Sequence, residues 1–314
     1  MIYDLHERID GERGGFADVY RATQRETGRE VALKMLREHN NADARHRFAQ
    51  EVKIAKGLNH PGLMAILDAN LDAERPFYVM PLMKGGCLTA WAGSLAHSLT
   101  RRLTHEFAVA LDHMHQRNTL HRDIKPDNIL LDAAGRCKIG DFGLGNAPHC
   151  TVRLTAGTAG TYGYMAPELG RGGQPSKASD VYSLGATVFH LLTGVHPRDA
   201  KTLDPWAYRR DVPAELRNLV LQMCHPAPSK RPAAATVIIW TADSAPAAAK
   251  PPIPVPGPIR VAVPAAAAAK PAATSAAAAK SASGDGWLIA AGIAGLAVLI
   301  GGVAAAAATP RRRR

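Results

Sequence analysis

Apolar and polar residues follow different patterns in the two parts of the N-terminal region. Residues 3–82 contain short apolar runs separated by turn residues, with one helical stretch at about 42–57. Short runs bounded by turn residues are typical of β-strands. From about Leu95 onward a helical repeat dominates, as in residues 101–116 and 179–193. The pattern predicts a small sheet-rich lobe followed by a larger helical lobe.

The composition changes abruptly near residue 243. Residues 244–286 are almost entirely Ala, Pro, Ser and Lys, so they are predicted to form a disordered linker without a core.

Residues 287–308 are a run of 22 residues without a charge, which is long enough for a helix to cross a bilayer core about 30 Å thick. We therefore predict a single C-terminal transmembrane helix there, followed by an Arg-rich flank at 309–314. The alternatives are a buried core helix, a low-complexity tail and a helix lying in the membrane interface.

The net charge of +11 is concentrated at the C-terminal end. Eight basic residues and one acidic residue lie beyond position 243, which leaves the first 243 residues with a net charge of +4. There is no stripe of Lys and Arg with interleaved aromatic residues, so nucleic-acid binding is not expected. The four cysteines lie far apart, without the two-residue spacing of zinc or redox motifs, and free thiols in a reducing cytosol are expected.

Two short motifs carry the most specific chemical information. The sequence HRDIKPDN occupies residues 121–128, and DFG at residues 141–143 begins thirteen positions after its end. These motifs resemble those of the eukaryotic-type (Hanks-type) serine/threonine protein kinases, and the resemblance extends over roughly residues 3–243. It implies an α+β, two-lobed protein-kinase fold for a domain at residues 1–243. The high Ala and Arg content resembles that of bacterial proteins.

The resemblance assigns catalytic and metal-binding roles to four residues. Phosphoryl transfer depends mainly on alignment and on neutralising charge. Asp123 would accept or orient the proton of the attacking hydroxyl, and Lys125 would neutralise the γ-phosphate, as in serine/threonine rather than tyrosine kinases. Asn128 and Asp141 would supply the oxygen ligands that Mg²⁺, or Mn²⁺ in its place, prefers.

The N-terminal lobe carries the residues that the resemblance assigns to ATP. Lys34, at the end of VALK, would reach the α- and β-phosphates and form an ion pair with Glu51. Glu12 and Ala17 stand where the family usually has the first and third glycines of its phosphate loop, so weaker ATP binding is expected. The predicted ATP-binding positions are Lys34, Gly14, Gly15, Val19, Ala32 and the hinge residues Met80, Leu82 and Met83.

The end of a predicted activation segment lies at residues 160–168, which read GTYGYMAPE. Glu168 is expected to form a buried ion pair with Arg231, and Asp180 is expected to brace the catalytic loop. These are architectural roles. Their presence argues for a polypeptide substrate.

These residues predict an enzyme that transfers the γ-phosphate of Mg·ATP to Ser and Thr hydroxyls of proteins. It is expected to autophosphorylate its activation segment, with Thr155 and Thr158 as candidate sites. One alternative is a pseudokinase, in which the altered glycine loop disables transfer. The other is a membrane-tethered signalling scaffold, in which the domain only docks partners.

The predicted location is the cell membrane, with a single pass at residues 287–308 and the kinase domain in the cytoplasm. The four C-terminal arginines would by the positive-inside rule prefer the cytosol, but the domain at the other end needs cytosolic ATP, and we give that requirement precedence. Self-association through the helix would favour phosphorylation between copies, because tethering raises the local concentration.

Overall fold

A five-stranded antiparallel sheet forms the N-terminal lobe of the computed structural model, which describes residues 2–10, 17–141 and 162–242. The strands lie in the spatial order β1-β2-β3-β5-β4. Helix α1 connects β3 to β4. The elements of this lobe are β1 (Tyr3–Arg8), β2 (Ala17–Gln24), β3 (Glu30–Leu36), α1 (Ala42–Gly57), β4 (Asp68–Asn70) and β5 (Phe77–Pro81).

The alternation of side chains along β3 determines which of them face α1. Ala32 and Leu36 belong to the apolar cluster that includes α1 residues, whereas Val31 and Leu33 belong to a cluster on the opposite face of the sheet. Successive side chains of a strand point to opposite faces. Lys34 therefore lies on the α1 face, between two apolar neighbours.

Both ends of α1 are attached to other elements. Near its beginning, Arg45 donates to the backbone carbonyls of Leu71, Ala73 and Glu74, in the turn between β4 and β5. Beyond its end, the carbonyl of Gly62 accepts from the N–H of Ile139 at 2.9 Å, and the N–H of Met64 donates to the Ile139 carbonyl at 2.8 Å. The segment after α1 therefore pairs with a strand of the C-terminal lobe.

Helices dominate the C-terminal lobe, together with a two-stranded antiparallel sheet that follows the first of them. The elements are α2 (His97–Gln116), β6 (Ile129–Leu131), β7 (Cys137–Ile139), α3 (Pro167–Gly170), α4 (Lys177–Thr193), α5 (Ala214–Met223) and α6 (Ala234–Thr241).

Helix α4 forms the centre of this lobe. Every residue from Ser179 to Leu192 is buried, as expected for a helix with neighbours on all sides. The helix begins with a capping box formed by Ser176 and Ser179, and ends at Gly194, whose φ of 73° favours glycine. Within it, Gly185 allows a close approach of α5, because an added Cβ would lie 2.7 Å from the Cys224 Sγ.

The predicted order of lobes is confirmed. The helical stretch predicted at 42–57 is α1, and the helices predicted at 101–116 and 179–193 lie within α2 and α4. Helix α2 begins at His97, before the predicted start, and its buried face includes threonines whose hydroxyls donate to backbone carbonyls four residues earlier. The apolar pattern did not predict the first turn, because a polar residue occupies its buried face.

Several predicted features lie outside the described residues and stay predictions, including the domain boundary at residue 243. Among the residues that the structure describes, no helix is both long and apolar enough to cross a membrane. The features outside are Gly14 and Gly15, Thr155 and Thr158, the linker at 244–286, the membrane helix at 287–308 and the flank at 309–314.

Candidate active site

Lys34 lies at the centre of a charged cluster between the two lobes. Its Nζ donates to Glu51 Oε1 at 2.9 Å and to Asp141 Oδ1 at 2.7 Å. Burial alone would lower the pKa of Lys34, but the charges of Asp141 and Glu51 outweigh it and hold the pKa well above its usual value. The charge of Lys34 in turn lowers the pKa of Asp141. The predicted ion pair is present, and Lys34 and Asp141 are both charged at neutral pH.

Helical spacing brings Glu51 into this cluster. The buried residues of α1 include Ala44, Phe48, Glu51 and Ala55, which recur every three to four positions. Glu51 is 3% exposed, so its carboxylate depends on protein donors. Lys34 is one of these donors, and the hydroxyl of Tyr78 on β5 is a second, at 2.8 Å from Oε1.

The loop between α2 and β6 holds the predicted catalytic residues together. Lys125 Nζ donates to both carboxylate oxygens of Asp123, at 2.8 and 3.1 Å. Asn128 Nδ2 donates to the backbone carbonyl of Asp123 at 2.8 Å and to its Oδ2 at 2.9 Å. The carboxylate of Asp123 is thereby fixed in orientation as a hydrogen-bond acceptor.

His121 connects this loop to the segment that carries Asp141. Its Nδ1 accepts from the backbone N–H of Asp123 at 3.3 Å, so Nε2 carries the proton and donates to the carbonyl of Gly140 at 3.2 Å. The ring is fully buried, and burial lowers the pKa of His121. A neutral imidazole therefore joins the backbones of the two segments.

Hydrogen bonds to Asp180 of α4 hold the backbone of the loop in place. Arg122 has a φ of 70°, a left-handed conformation that is costly for a residue other than glycine. The carboxylate of Asp180 accepts the N–H groups of His121 and Arg122, at 2.9 and 2.8 Å, and it also lies 3.0 Å from Nε2 of His115. The bracing role predicted for Asp180 is confirmed.

The two predicted metal ligands lie on adjoining segments. The N–H of Gly140 donates to the carbonyl of Asn128 at 2.8 Å. Asp141 is the residue after Gly140, so this hydrogen bond holds the two predicted ligands on neighbouring segments. The amide nitrogen of Asn128 is used by Asp123, which leaves Oδ1 as the amide's acceptor atom. The side chain of Asp141 is 55% exposed. One amide oxygen and one carboxylate are the kind of donors that Mg²⁺ takes, so the residues present fit this ion.

Five of the predicted ATP-binding residues border one apolar cluster. Ala32 pairs with Met80 across β3 and β5, and Val19 pairs with Lys34 across β2 and β3. Ala32 and Met80 are buried in the cluster, whereas Val19, Leu82 and Met83 are partly exposed against it. Partly exposed apolar side chains on the rim of a buried cluster suit a flat aromatic base.

Ala17, which replaces a glycine of the family pattern, is 5% exposed at the start of β2 and belongs to the same cluster. Its methyl group is therefore accommodated in the apolar core.

The second predicted ion pair lies in the C-terminal lobe. Arg231 donates to both carboxylate oxygens of Glu168, each at 2.7 Å, and its side chain is completely buried. Burial would raise the pKa of Glu168, but the hydrogen bonds from Arg231 outweigh it and lower the pKa. The predicted pair is confirmed.

Sequence comparison identifies the family. Residues 7–239 match the protein kinase domain. The chain belongs to the protein kinase family. Its kinase domain is 42% identical over 195 residues to the DNA damage-responsive serine/threonine-protein kinase RqkA of Deinococcus radiodurans, covering 59% of this chain and 29% of that protein.

Two further relatives are named serine/threonine-protein kinases. PrkC of Bacillus subtilis is 34% identical over 239 residues, covering 70% of this chain and 37% of that protein. PknK of Mycobacterium tuberculosis is 39% identical over 187 residues, covering 58% of this chain and 17% of that protein. The kinase domain thus spans less than two fifths of each of these three relatives.

The sequence-based prediction overlooked two features of this kinase domain. The hydroxyl of Tyr78 reaches Glu51, and the ring of His121 joins the loop to Gly140. No role of its own had been predicted for Tyr78, which lies just before the predicted hinge residues. The alternation in β5 places it on the same face as Met80, and this was the one signal that could have drawn attention to it.

Proposed function

We propose that this chain is a serine/threonine protein kinase that transfers the γ-phosphate of Mg·ATP to hydroxyl groups of proteins. The observation that carries the proposal is the contact of one buried ammonium, Lys34 Nζ, with both Glu51 and Asp141. In protein kinases the lysine–glutamate pair and the metal-binding aspartate must both be in place for transfer.

Each residue of the site has a distinct part in the proposed reaction. Lys34 binds the α- and β-phosphates from the sheet side. Asp123 accepts the proton of the substrate hydroxyl, and Lys125, held 2.8 Å from it, offsets the charge of the transferred group. Asn128 and Asp141 would hold Mg²⁺, which supplies neutralisation of phosphate charge.

Ser and Thr are the proposed acceptors because of Lys125 in the HRDIKPDN motif, and because the relatives named above are serine/threonine-protein kinases.

Transfer of radiolabelled phosphate from ATP to a generic basic protein tests the proposal. Wild-type protein should label the substrate, and Lys34→Met and Asp123→Asn should each lower the rate at least about 100-fold. Lys53→Met, at an exposed position of α1, is the matched control and should retain the wild-type rate. Wild-type protein that binds Mg·ATP but labels nothing would favour the pseudokinase alternative.

Autophosphorylation of the activation segment is the second part of the proposal. A phosphate on Thr155 or Thr158 would add about −1.5 to −2 charges to a segment that follows the metal-binding aspartate. Phosphopeptide mapping of wild type beside Asp123→Asn tests it. Phosphate at either threonine is expected in the wild type alone. Its absence from residues 151–161 would contradict the proposal.

We further propose that residues 287–308 tether the kinase domain to the cytoplasmic face of the cell membrane. The support is the run of 22 uncharged residues, and the need of the domain for ATP. The full chain should stay with membranes after a carbonate wash, whereas residues 1–243 should be released. Protease added outside intact cells should leave the kinase domain uncut.

Self-association through the same helix is proposed to promote phosphorylation between copies. The full chain in liposomes should autophosphorylate faster than residues 1–243 at equal protein concentration. Equal rates would exclude the helix as a regulator.

A further inference from the structure

Tyr78 and Lys34 approach the same carboxylate oxygen from neighbouring strands. The two residues lie directly opposite each other in the pairing of β3 with β5. The Tyr78 hydroxyl donates to Glu51 Oε1 at 2.8 Å, and Lys34 Nζ donates to that atom at 2.9 Å. Glu51 is therefore attached to the sheet by two independent hydrogen bonds, only one of which comes from Lys34.

The ring of Tyr78 makes a further contact with α1. Phe48, three residues before Glu51, lies with its ring centroid 5.3 Å from that of Tyr78. Tyr78 is 4% exposed. Burial, and next the charge of Glu51, raise the pKa of Tyr78 well above its usual value, so the hydroxyl keeps its proton at neutral pH. A neutral donor and an aromatic face thus act on the same turn of α1.

The second hydrogen bond matters because Lys34 has two carboxylate partners. Its ammonium also contacts Asp141, at 2.7 Å. A lysine ammonium has three N–H donors, so a nucleotide phosphate would share Lys34 with Glu51 and Asp141. A buried carboxylate is costly without its hydrogen bonds, so a donor to Glu51 that no phosphate competes for keeps the carboxylate, and α1 with it, against the sheet. The Tyr78 hydroxyl does not depend on where Lys34 points.

We propose that Tyr78 is a positioning residue that holds Glu51, and through it Lys34, in place for the phosphates of the nucleotide. The nucleotide half of this inference rests on the proposed function, since it takes Lys34 as a phosphate ligand. The structural half, that the hydroxyl holds α1 against the sheet, does not.

Tyr78→Phe removes the hydroxyl and keeps the ring against Phe48. The matched control is Tyr3→Phe, because the Tyr3 hydroxyl also donates to a carboxylate of the same lobe, Asp68 Oδ2, at 2.9 Å. Calorimetric titration should give a dissociation constant for Mg·ATP that rises about tenfold in Tyr78→Phe. The constant for adenosine, which lacks phosphates, should stay within about twofold of wild type. Tyr3→Phe should change neither.

A double-mutant cycle tests whether the effect passes through Glu51. In a Glu51→Ala background, Tyr78→Phe should cause no further loss of Mg·ATP affinity. Additive losses would overturn the proposal, as would equal weakening of Mg·ATP and adenosine binding, because Tyr78 would then act on the base pocket that Met80 borders. Unchanged Mg·ATP binding in Tyr78→Phe would overturn it too.

Amide hydrogen exchange without nucleotide tests the structural half alone. Exchange across residues 42–57 should be faster in Tyr78→Phe than in wild type and Tyr3→Phe, by about tenfold. Identical exchange in all three proteins would overturn the proposal. This result separates the two claims, because a chain that transfers no phosphate would still show whether the hydroxyl holds α1.

Discussion

The carboxylate of Asp180 holds Arg122 in a left-handed backbone conformation. It accepts the Arg122 N–H at 2.8 Å, while the φ of Arg122 is 70°. Arg122 immediately precedes Asp123, so the direction of the proposed catalytic carboxylate depends on a conformation that α4 maintains. Contacts within the C-terminal lobe therefore maintain a strained backbone conformation, and this conformation sets the position of Asp123 at the cleft between the lobes.

Asp180→Asn should therefore impair both stability and transfer. The amide has one acceptor oxygen in place of two, and cannot accept all of the donors at this site. We expect the free energy of unfolding to fall by about 2–4 kcal/mol and the rate of phosphoryl transfer by about 10- to 100-fold. Urea unfolding and initial rates measure these effects. Asp199→Asn, at an exposed position, should stay within about 0.5 kcal/mol of wild type.

Arg231→Lys should be costly although the charge is kept. The guanidinium donates to both oxygens of Glu168 and to the carbonyls of Ala178, His225 and Pro226. Lysine has three donors on one atom and cannot reach this planar arrangement. A loss of about 2 kcal/mol or more in unfolding free energy is expected.

The comparison for this change is Arg136→Lys, because the Arg136 side chain is 80% exposed in its ion pair with Asp132. Its cost should be below about 0.5 kcal/mol. Similar costs for the two substitutions in urea unfolding would contradict the structural role of Arg231.

Stability should decline on the acid side of neutrality. Burial lowers the pKa of His121 and of His190 below the ordinary value of 6.5. Below about pH 6.5 the unfolded chain therefore binds more protons at these two histidines than the folded chain does. Each histidine should remove up to about 1.4 kcal/mol of unfolding free energy per pH unit, until the pH reaches its folded pKa.

Urea unfolding at about pH 7.5 and about pH 5 checks this decline. His121→Gln should show a smaller loss between the two pH values than wild type, because glutamine does not titrate. His46→Gln, at an exposed position of α1, should retain the wild-type dependence. A full wild-type slope in His121→Gln would exclude His121 as a source of the acid sensitivity.

Two glycine substitutions should have opposite effects. In Gly185→Ala the new methyl would lie 2.7 Å from both Cys224 Sγ and Met223 Cβ, which should cost about 1–3 kcal/mol. Gly57 ends α1, and a Cβ added there would meet no other atom within 4 Å, so Gly57→Ala should gain about 0.5–1 kcal/mol. Thermal and urea unfolding measure both. A neutral Gly185→Ala would mean that α4 and α5 can separate without loss.

The charged centre of the site was largely predictable. Asp123, Lys125 and Asn128 lie in one contiguous motif, and their mutual hydrogen bonds follow from a spacing of two to five residues. Lys34 and Asp141 are 107 positions apart, and their contact was predictable only through the family resemblance. Contacts between residues a few positions apart can be predicted from the motif that contains them, whereas contacts between distant segments depend on how the chain folds.

The contact of Tyr78 with Glu51 was not predictable for that reason. It requires β5 to insert between β3 and β4, and to pair so that Tyr78 falls opposite Lys34. An apolar run such as FYVMP is compatible with either register. A tyrosine in such a run indicates only a buried strand, because its large apolar ring favours burial whether or not its hydroxyl has a specific partner.

The attachments of α1 at both ends make the helix a strut between the lobes. Its beginning travels with the turn before β5 through Arg45, and the segment after it travels with Ile139, two residues before Asp141. A change in the separation of the lobes would therefore act on α1 at both ends. Glu51 lies between the two attachments and is bonded to Lys34, so the spacing of the lobes and the assembly of the charged centre are coupled through one helix.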